Sequence, residues 1–173
     1  MPISNYPSGF TSGVTIKGIP VLNSYSGNVY WVDSNSSGTA GTFATPDQTL
    51  SAATNRCTAN NGDLVLIKPG HAETVSSAGA LDAFDVAGVT YIGLGSGTAQ
   101  PTITLDTATT ADIDIGAANV TIDNFHLIAN FADIAVIFDV NATDFTLRNS
   151  RFTQSGDNLN AKVCVQDAAA AGS

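Results

Sequence analysis

The stretch IDIGAANVTIDN, Ile113 to Asn124, returns as FDVNATDFTLRN, Phe138 to Asn149, at an offset of 25 residues with no gap. Each copy reads as two apolar residues around an acid, a small polar turn, an apolar pair around Thr, and an Asn. Self-similarity at a fixed period of this size marks a stack of units, each too small to bury its own apolar face. The pattern extends on both sides. Ile113-Asp114-Ile115, Phe138-Asp139-Val140 and Val163-Cys164-Val165 follow at intervals of 25, and Phe84-Asp85-Val86 precedes them by 29. Val89-Thr90-Tyr91, Val120-Thr121-Ile122 and Phe145-Thr146-Leu147 form a second set. Thr102–Leu105, His126-Leu127-Ile128 and Arg151-Phe152-Thr153 form a third. Each period therefore holds three short alternating segments, the first lengthened by the loop LGSGTAQP.

This pattern predicts an all-β fold, a right-handed single-stranded parallel β-helix with three strands per coil and coils of about 25 residues. Equivalent strands then lie ~4.8 Å apart along the axis. No helical period fits between the strands, which excludes strand–helix–strand crossovers; an antiparallel sandwich is the alternative. Phe138, Val140, Phe145 and Leu147 should point inward, beneath Ile113, Ile115, Val120 and Ile122. Asp139 and Thr146 should point outward.

Ahead of the repeat, TPDQTLSAATNRCTANNG predicts one helix. Thr45 suits the N-cap, Pro46 the first turn, and Gln48 completes a capping box. Leu50, Ala53 and Cys57 give an apolar stripe, and Asn61-Gly62 closes the segment. The helix is placed to cap the N-terminal end of the β-helix. DLVLIKPG then opens the first strand, and Pro69-Gly70 ends it. The expected division is an extended N-terminal docking arm, residues 1–44, followed by the capping helix and β-helix, residues 45–173. QDAAAAGS stops where another strand is due, so the β-helix is expected to continue beyond residue 173 or to be covered by another subunit. Within the arm, Tyr30, Trp31 and Val32 form the most apolar island. They are the candidate docking residues, against the body or a neighbouring subunit.

The net charge is −9, and Lys17 is the only charged residue before Asp33. Without a basic footprint, nucleic acid is not an expected partner. No apolar run approaches the ~18 residues of a membrane span, and MPISNYPSGF lacks the basic and apolar regions of a secretory signal. Cys57 and Cys164 have no metal-binding spacing and are not expected to pair.

Asp85, Asp114 and Asp139 sit between apolar residues, so alternation turns them outward in one stack. With Asp112 beside them, Asp112, Asp114 and Asp139 are the candidate ligands for a calcium ion; solvent-screened surface acids are the plainer reading. His71, in PGHAET, reads as a surface turn histidine within reach of Glu73, and His126 as an outward strand residue. Asp123 and Arg148 are equivalent positions on successive coils, which predicts a cross-strand salt bridge with Arg151 nearby. No nucleophile, metalloprotease, phosphate-loop or dinucleotide motif occurs, so no catalytic residue and no cofactor are assigned.

The passage GTFATPDQTLSAATNRCTANNGDLVLIKPGHAETV resembles the start of pectate-lyase-like right-handed β-helix proteins. Thr45, Gly62-Asp63, Pro69-Gly70 and Glu73-Thr74 carry the likeness, which with the repeats covers about residues 38–173. The preceding segment, with its GNVYWVDS island, is similar to the starts of tailed-phage virion proteins that carry such a β-helix. That resemblance implies a homotrimer on the virion, as a head decoration protein on the outer capsid surface or as a tail spike or fibre. Its partners would be the major capsid protein or other virion proteins. Family enzymes use clustered Asp, Arg or His on the helix face, and no such cluster maps onto this chain. The expectation is therefore a non-enzymatic capsid decoration or cement protein. A tail spike that binds, or as a lyase or hydrolase degrades, host-surface polysaccharide is one alternative; a bacterial surface adhesin is another.

Overall fold

The computed structural model describes residues 14–16, 19–21 and 27–167. Three parallel sheets run side by side along one axis, and the chain visits them in turn. The first sheet holds β3 (Val29–Val32), β4 (Leu64–Ile67), β6 (Thr90–Gly93), β9 (Thr121–Asp123) and β12 (Thr146–Arg148). The second holds β5 (Ala72–Val75), β7 (Thr102–Leu105), β10 (His126–Ala129) and β13 (Arg151–Gln154). The third holds β8 (Ile113–Ile115), β11 (Ile134–Val140) and β14 (Ala161–Asp167). Spatial neighbours are sequence equivalents one coil apart, the topology of a parallel β-solenoid. Ahead of it, β1 (Val14–Ile16) and β2 (Ile19–Val21) pair antiparallel as a hairpin.

The 25-residue phrase sets the register. Phe138 pairs with Ile113, Asp139 with Asp114 and Val140 with Ile115. Thr146 pairs with Thr121 and Leu147 with Ile122. The apolar members fill one interior in which Ile113, Ile115, Val120, Ile122 and Phe138 are wholly buried. The turns recur as faithfully as the strands. Asn119 and Asp144, Asn124 and Asn149, and Asp133 and Asn158 all adopt left-handed backbone at coil-equivalent positions. Asn and Asp are the residues that tolerate this conformation best after glycine.

The structure departs from the sequence expectation in four places. Phe84-Asp85-Val86 is not a strand, because Phe84 takes a left-handed φ of 61°. Its ring is nonetheless buried, edge-on to Tyr91 at 4.7 Å. On the last coil the register slips: Val163 pairs with Val136 and Val165 with Phe138, an offset of 27 residues. A slip of two preserves the side-chain period of a strand, whereas a slip of one would turn every residue over. The helix α1 is only Leu50–Thr54, capped by Thr49, whose side chain accepts from the Ala52 amide at 3.2 Å. Thr45 and Pro46 are not in it because the chain there lies along β3: Asp47 bridges Val32, and its amide donates to the Trp31 carbonyl at 2.9 Å. Leu50 and Ala53 are buried in the core as the stripe requires, while Asn60 and Gly62 take left-handed φ beyond the helix rather than at its end.

The fourth departure concerns the boundary between arm and body. Residues 29–32, counted with the arm, form the first rung of the first sheet, pairing in register with β4. Strand alternation then divides the apolar island: Val32 is buried in the core with Tyr30 against it, while Trp31 packs on the outer face. Among the described residues no helix is long and apolar enough to cross a membrane.

Candidate functional site

Four groups of polar residues were expected to matter, and the structure gives each a distinct environment. The segment from Gly62 to Glu73 is built around two carboxylates. Asp63 is buried, and its oxygens accept from the amides of Asn28 and Thr58 at 2.6 and 2.7 Å and from the Asn61 side chain at 2.8 Å. A Cβ at position 27 would collide with this carboxylate, so Gly27 is needed for the chain to cross it. Glu73 accepts from the amide of Leu50, the first residue of α1, at 2.7 Å and lies 2.8 Å from His71 Nε2.

His71 is therefore not a surface residue; it is buried because the chain at Ser34 folds over it. The Ser34 amide donates to Nδ1 at 2.9 Å, so Nδ1 is the acceptor and Nε2–H donates to Glu73. One imidazole and one carboxylate thus fasten the first rung, the helix start and β5 together.

The acid stack is only partly assembled. Asp114 and Asp139 are register partners, and Asp112 turns back to accept from the Gly79 amide at 3.1 Å. Asp85, lacking a strand to carry it, does not join them in the sheet. Partial burial, then the charges of Asp112 and Asp139, hold the Asp114 carboxyl above the usual carboxylate range. One oxygen of Asp139 is buried without a hydrogen-bond partner. No group of three or more His, Cys, Asp or Glu side chains among the described residues is arranged to hold a metal ion.

The fourth group lies where the first sheet turns into the second. Asp123 and Arg148 make the cross-strand bridge at 3.0 Å, and Asn149 donates to the other Asp123 oxygen at 2.8 Å. Asn124 donates to the carbonyls of Gly93 and Gly95 at 2.7 and 3.0 Å, and Gln100 donates to its side-chain oxygen. These contacts pin the 94–101 loop beside the turn and leave a half-open cleft of about 390 Å³ with a mixed lining that includes Leu94, Gly95, Ser96, Asp123, Asn124 and Asn149. Next to it, Arg151 donates to Gly97 O at 3.3 Å and to His126 Nδ1 at 3.0 Å, and His126 Nε2 meets Thr153 Oγ1 at 2.7 Å. Burial, then the Arg151 charge, pushes the His126 imidazole below its ordinary pKa. Sequence reasoning named Asp123, Arg148, Arg151 and His126 but not the cleft. Its signal was the Asn that closes each repeat, together with the Gly-rich insertion that only the fold brings against it.

Cys57 and Cys164 are both free thiols, and burial, then Asp63 and Asp85, raises Cys57 to about 12, where it is an unreactive thiol. Comparison with protein-family models, with curated proteins and with solved structures gives no match.

Proposed function

We propose that this chain is a non-enzymatic structural protein of a phage particle, a decoration or cement protein on the outer capsid attached through the segment ahead of its first rung. The observation that carries this reading is the use made of buried polar groups. Among the described residues, the buried polar side chains are Asp47, Thr54, Asp63, His71, Gln100 and Asp123. Each is committed to a hydrogen bond or ion pair that holds one part of the fold to another. A catalytic acid or base must be free to exchange a proton with a substrate; the commitment of these buried groups to the fold supports a structural role. The likeness of the N-terminal stretch to virion proteins supplies the setting.

Imaging of the particle with a label on this chain tests the reading. Copies spread over the capsid lattice are the expected result, and copies confined to the tail would overturn it. A second reading, a tail component that binds host-surface polysaccharide, is favoured by the cleft beside Arg148, Arg151 and His126. In that reading Asp123, held in its ion pair with Arg148, shapes the cleft. Depolymerisation of host polysaccharide by the purified protein, abolished in Asp123→Asn or Asp114→Ala, would overturn the non-enzymatic assignment.

A further inference from the structure

Among the described residues, β12, β13 and β14 each stand at the edge of their sheet, so the last coil has no strand beyond it. In β14 every residue but Ala161 is exposed. Val163 and Val165 are 38% and 44% exposed, although their register partners on β11, Val136 and Phe138, are buried. An open cavity of about 320 Å³ lies between β13 and β14, with Ile137, Phe152, Ala161 and Cys164 in its lining. A row of unpaired amides and carbonyls above an unsealed core is a template for another strand. Residues 168–173 are too few to pair along the whole of β14, and β12 and β13 stand open beside it.

The charges narrow the choice of occupant. Residues 33–140 hold two cations against twelve acids. Residues 141–167 hold three of each: Arg148, Arg151 and Lys162 with Asp144, Asp157 and Asp167. A strongly acidic molecule thus ends in a neutral coil, which a second acidic molecule can approach without net repulsion. A cationic partner would be drawn to the acidic coils instead.

We infer that the occupant is a second copy of this chain, docked end to end by antiparallel pairing of β14 with its counterpart about a two-fold axis at Cys164. The backbone supports this register. The Ile134 amide donates to the Asn160 carbonyl, and the Asn141 amide to the Ile115 carbonyl on the opposite side of β11. Alternation then turns the backbone polar groups of Lys162, Cys164 and Gln166 toward β11, and those of Val163 and Val165 toward the open edge. About this axis Val163 opposes Val165 of the second copy as a hydrogen-bonded pair, twice over. The two valines extend the Val136 and Phe138 ladders of each copy into the other. Cys164 faces its counterpart as a non-hydrogen-bonded pair, with Cα atoms about 4.5 Å apart, within reach of a disulfide. Lys162 opposes Gln166 and Ala161 opposes Asp167, so no like charges meet. The same rotation exchanges the first and second sheets, setting β12 of each copy over β13 of the other, and such a contact closes on itself. It goes beyond the virion reading and does not depend on it.

Sedimentation of the full-length chain tests the contact. The parent should sediment at twice the mass of Val165→Pro, whose edge loses an amide while the ladder to β11 keeps its bonds. Far-UV circular dichroism should show the solenoid in both. Gln166→Lys separates docking from folding, because the new lysine lies beside Asp139 in its own chain but opposite Lys162 across the contact. It should leave the urea midpoint of the dilute chain no lower than the parent's. It should also raise the dissociation constant roughly 2- to 30-fold, the scale of two like-charged cross-strand pairs. Diamide takes up the two electrons and two protons released as two thiols become a disulfide. It should link parent chains through Cys164, link Gln166→Lys more slowly and leave Cys164→Ser unlinked. The β14 amides, quick to exchange in the dilute single chain, should slow in the dimer. Equal sedimenting mass in the parent and a folded Val165→Pro would overturn the proposal, leaving the end bare or covered by this chain's own terminal segments. A dissociation constant unchanged in Gln166→Lys would overturn it as well.

Discussion

Asp63 shows how a single side chain can hold a fold together without doing chemistry. Three donors converge on a carboxylate that water does not reach, and hydrogen bonds to a charged acceptor are each worth about 1.5–3 kcal/mol. Asp63→Ala strands the amides of Asn28 and Thr58. It should lower stability by roughly 3 kcal/mol, read as a fall in the urea midpoint, while Asp63→Asn should fall between variant and parent. Asp114 has the opposite effect. Its carboxyl pKa is raised in the folded state, so the unfolded chain releases this proton first as pH increases. Stability is therefore lost as pH rises from the unfolded pKa through the folded one, and the full penalty persists at neutral pH. Asp114→Asn removes the like-charge contact with Asp139 and offers its unpartnered oxygen a donor. The variant should be more stable at pH 7 by about 0.2–1 kcal/mol, the scale of a cross-strand pair, and the advantage should vanish below the carboxylate range. Urea unfolding at pH 7 and pH 3 measures both limbs. Either acid was visible in the sequence; that one stabilises and the other destabilises was not, because each effect depends in part on a neighbour from a distant stretch of chain, Asn28 for Asp63 and Asp139 for Asp114.

At the level of elements, the strands were read from the repeat because side-chain alternation is a local property that survives in sequence. The turns carry equal information. Asn124 adopts left-handed φ and uses its amide to hold the 94–101 loop, so Asn124→Ala combines backbone strain with lost hydrogen bonds. It should cost about 1–3 kcal/mol and speed amide exchange selectively across residues 94–101, which hydrogen-exchange mass spectrometry resolves. Asn124→Gly, free of the strain but without the amide, should still release the loop. The last strand shows what a repeat does not fix. Identity at 25 residues predicted that Val165 would pair with Val140, yet the observed partner is Phe138. Both registers satisfy the alternation, and the loop between β13 and β14 decides between them. The helix was misplaced for a related reason. Thr45 and Pro46 make a good local start, but Asp47 gains more by pairing with β3 and with Arg56 at 2.6 Å.

Considered whole, burial of the described residues falls along the solenoid axis from the middle coils to the last. The core residues of the middle coils are wholly buried, whereas Phe145, Leu147 and Phe152 are only partly buried and Val163 and Val165 are exposed. In a stack held by nearest-neighbour contacts, each coil is as stable as the coils that flank it. Ile122→Ala should therefore cost about 2–5 kcal/mol, while Val165→Ala costs well under 1 kcal/mol. Amide exchange should likewise run fastest in β12, β13 and β14 and slowest in β6, β7 and β9. Equal protection along the axis would show the last coil to be covered in solution.

The sequence by itself determined the class of fold, the coil length, the inward and outward residues of the repeat and the Asp123–Arg148 bridge. All of these follow from periodicity, and periodicity is written in the chain. Only the tertiary structure placed Tyr30, Trp31 and Val32 in the first rung, buried His71 under Ser34, and set Asn124 against the glycine loop to shape a cleft. Those outcomes rest on contacts between segments with no shared period. Residues 29 and 64, or 93 and 124, become neighbours only once the coils have stacked.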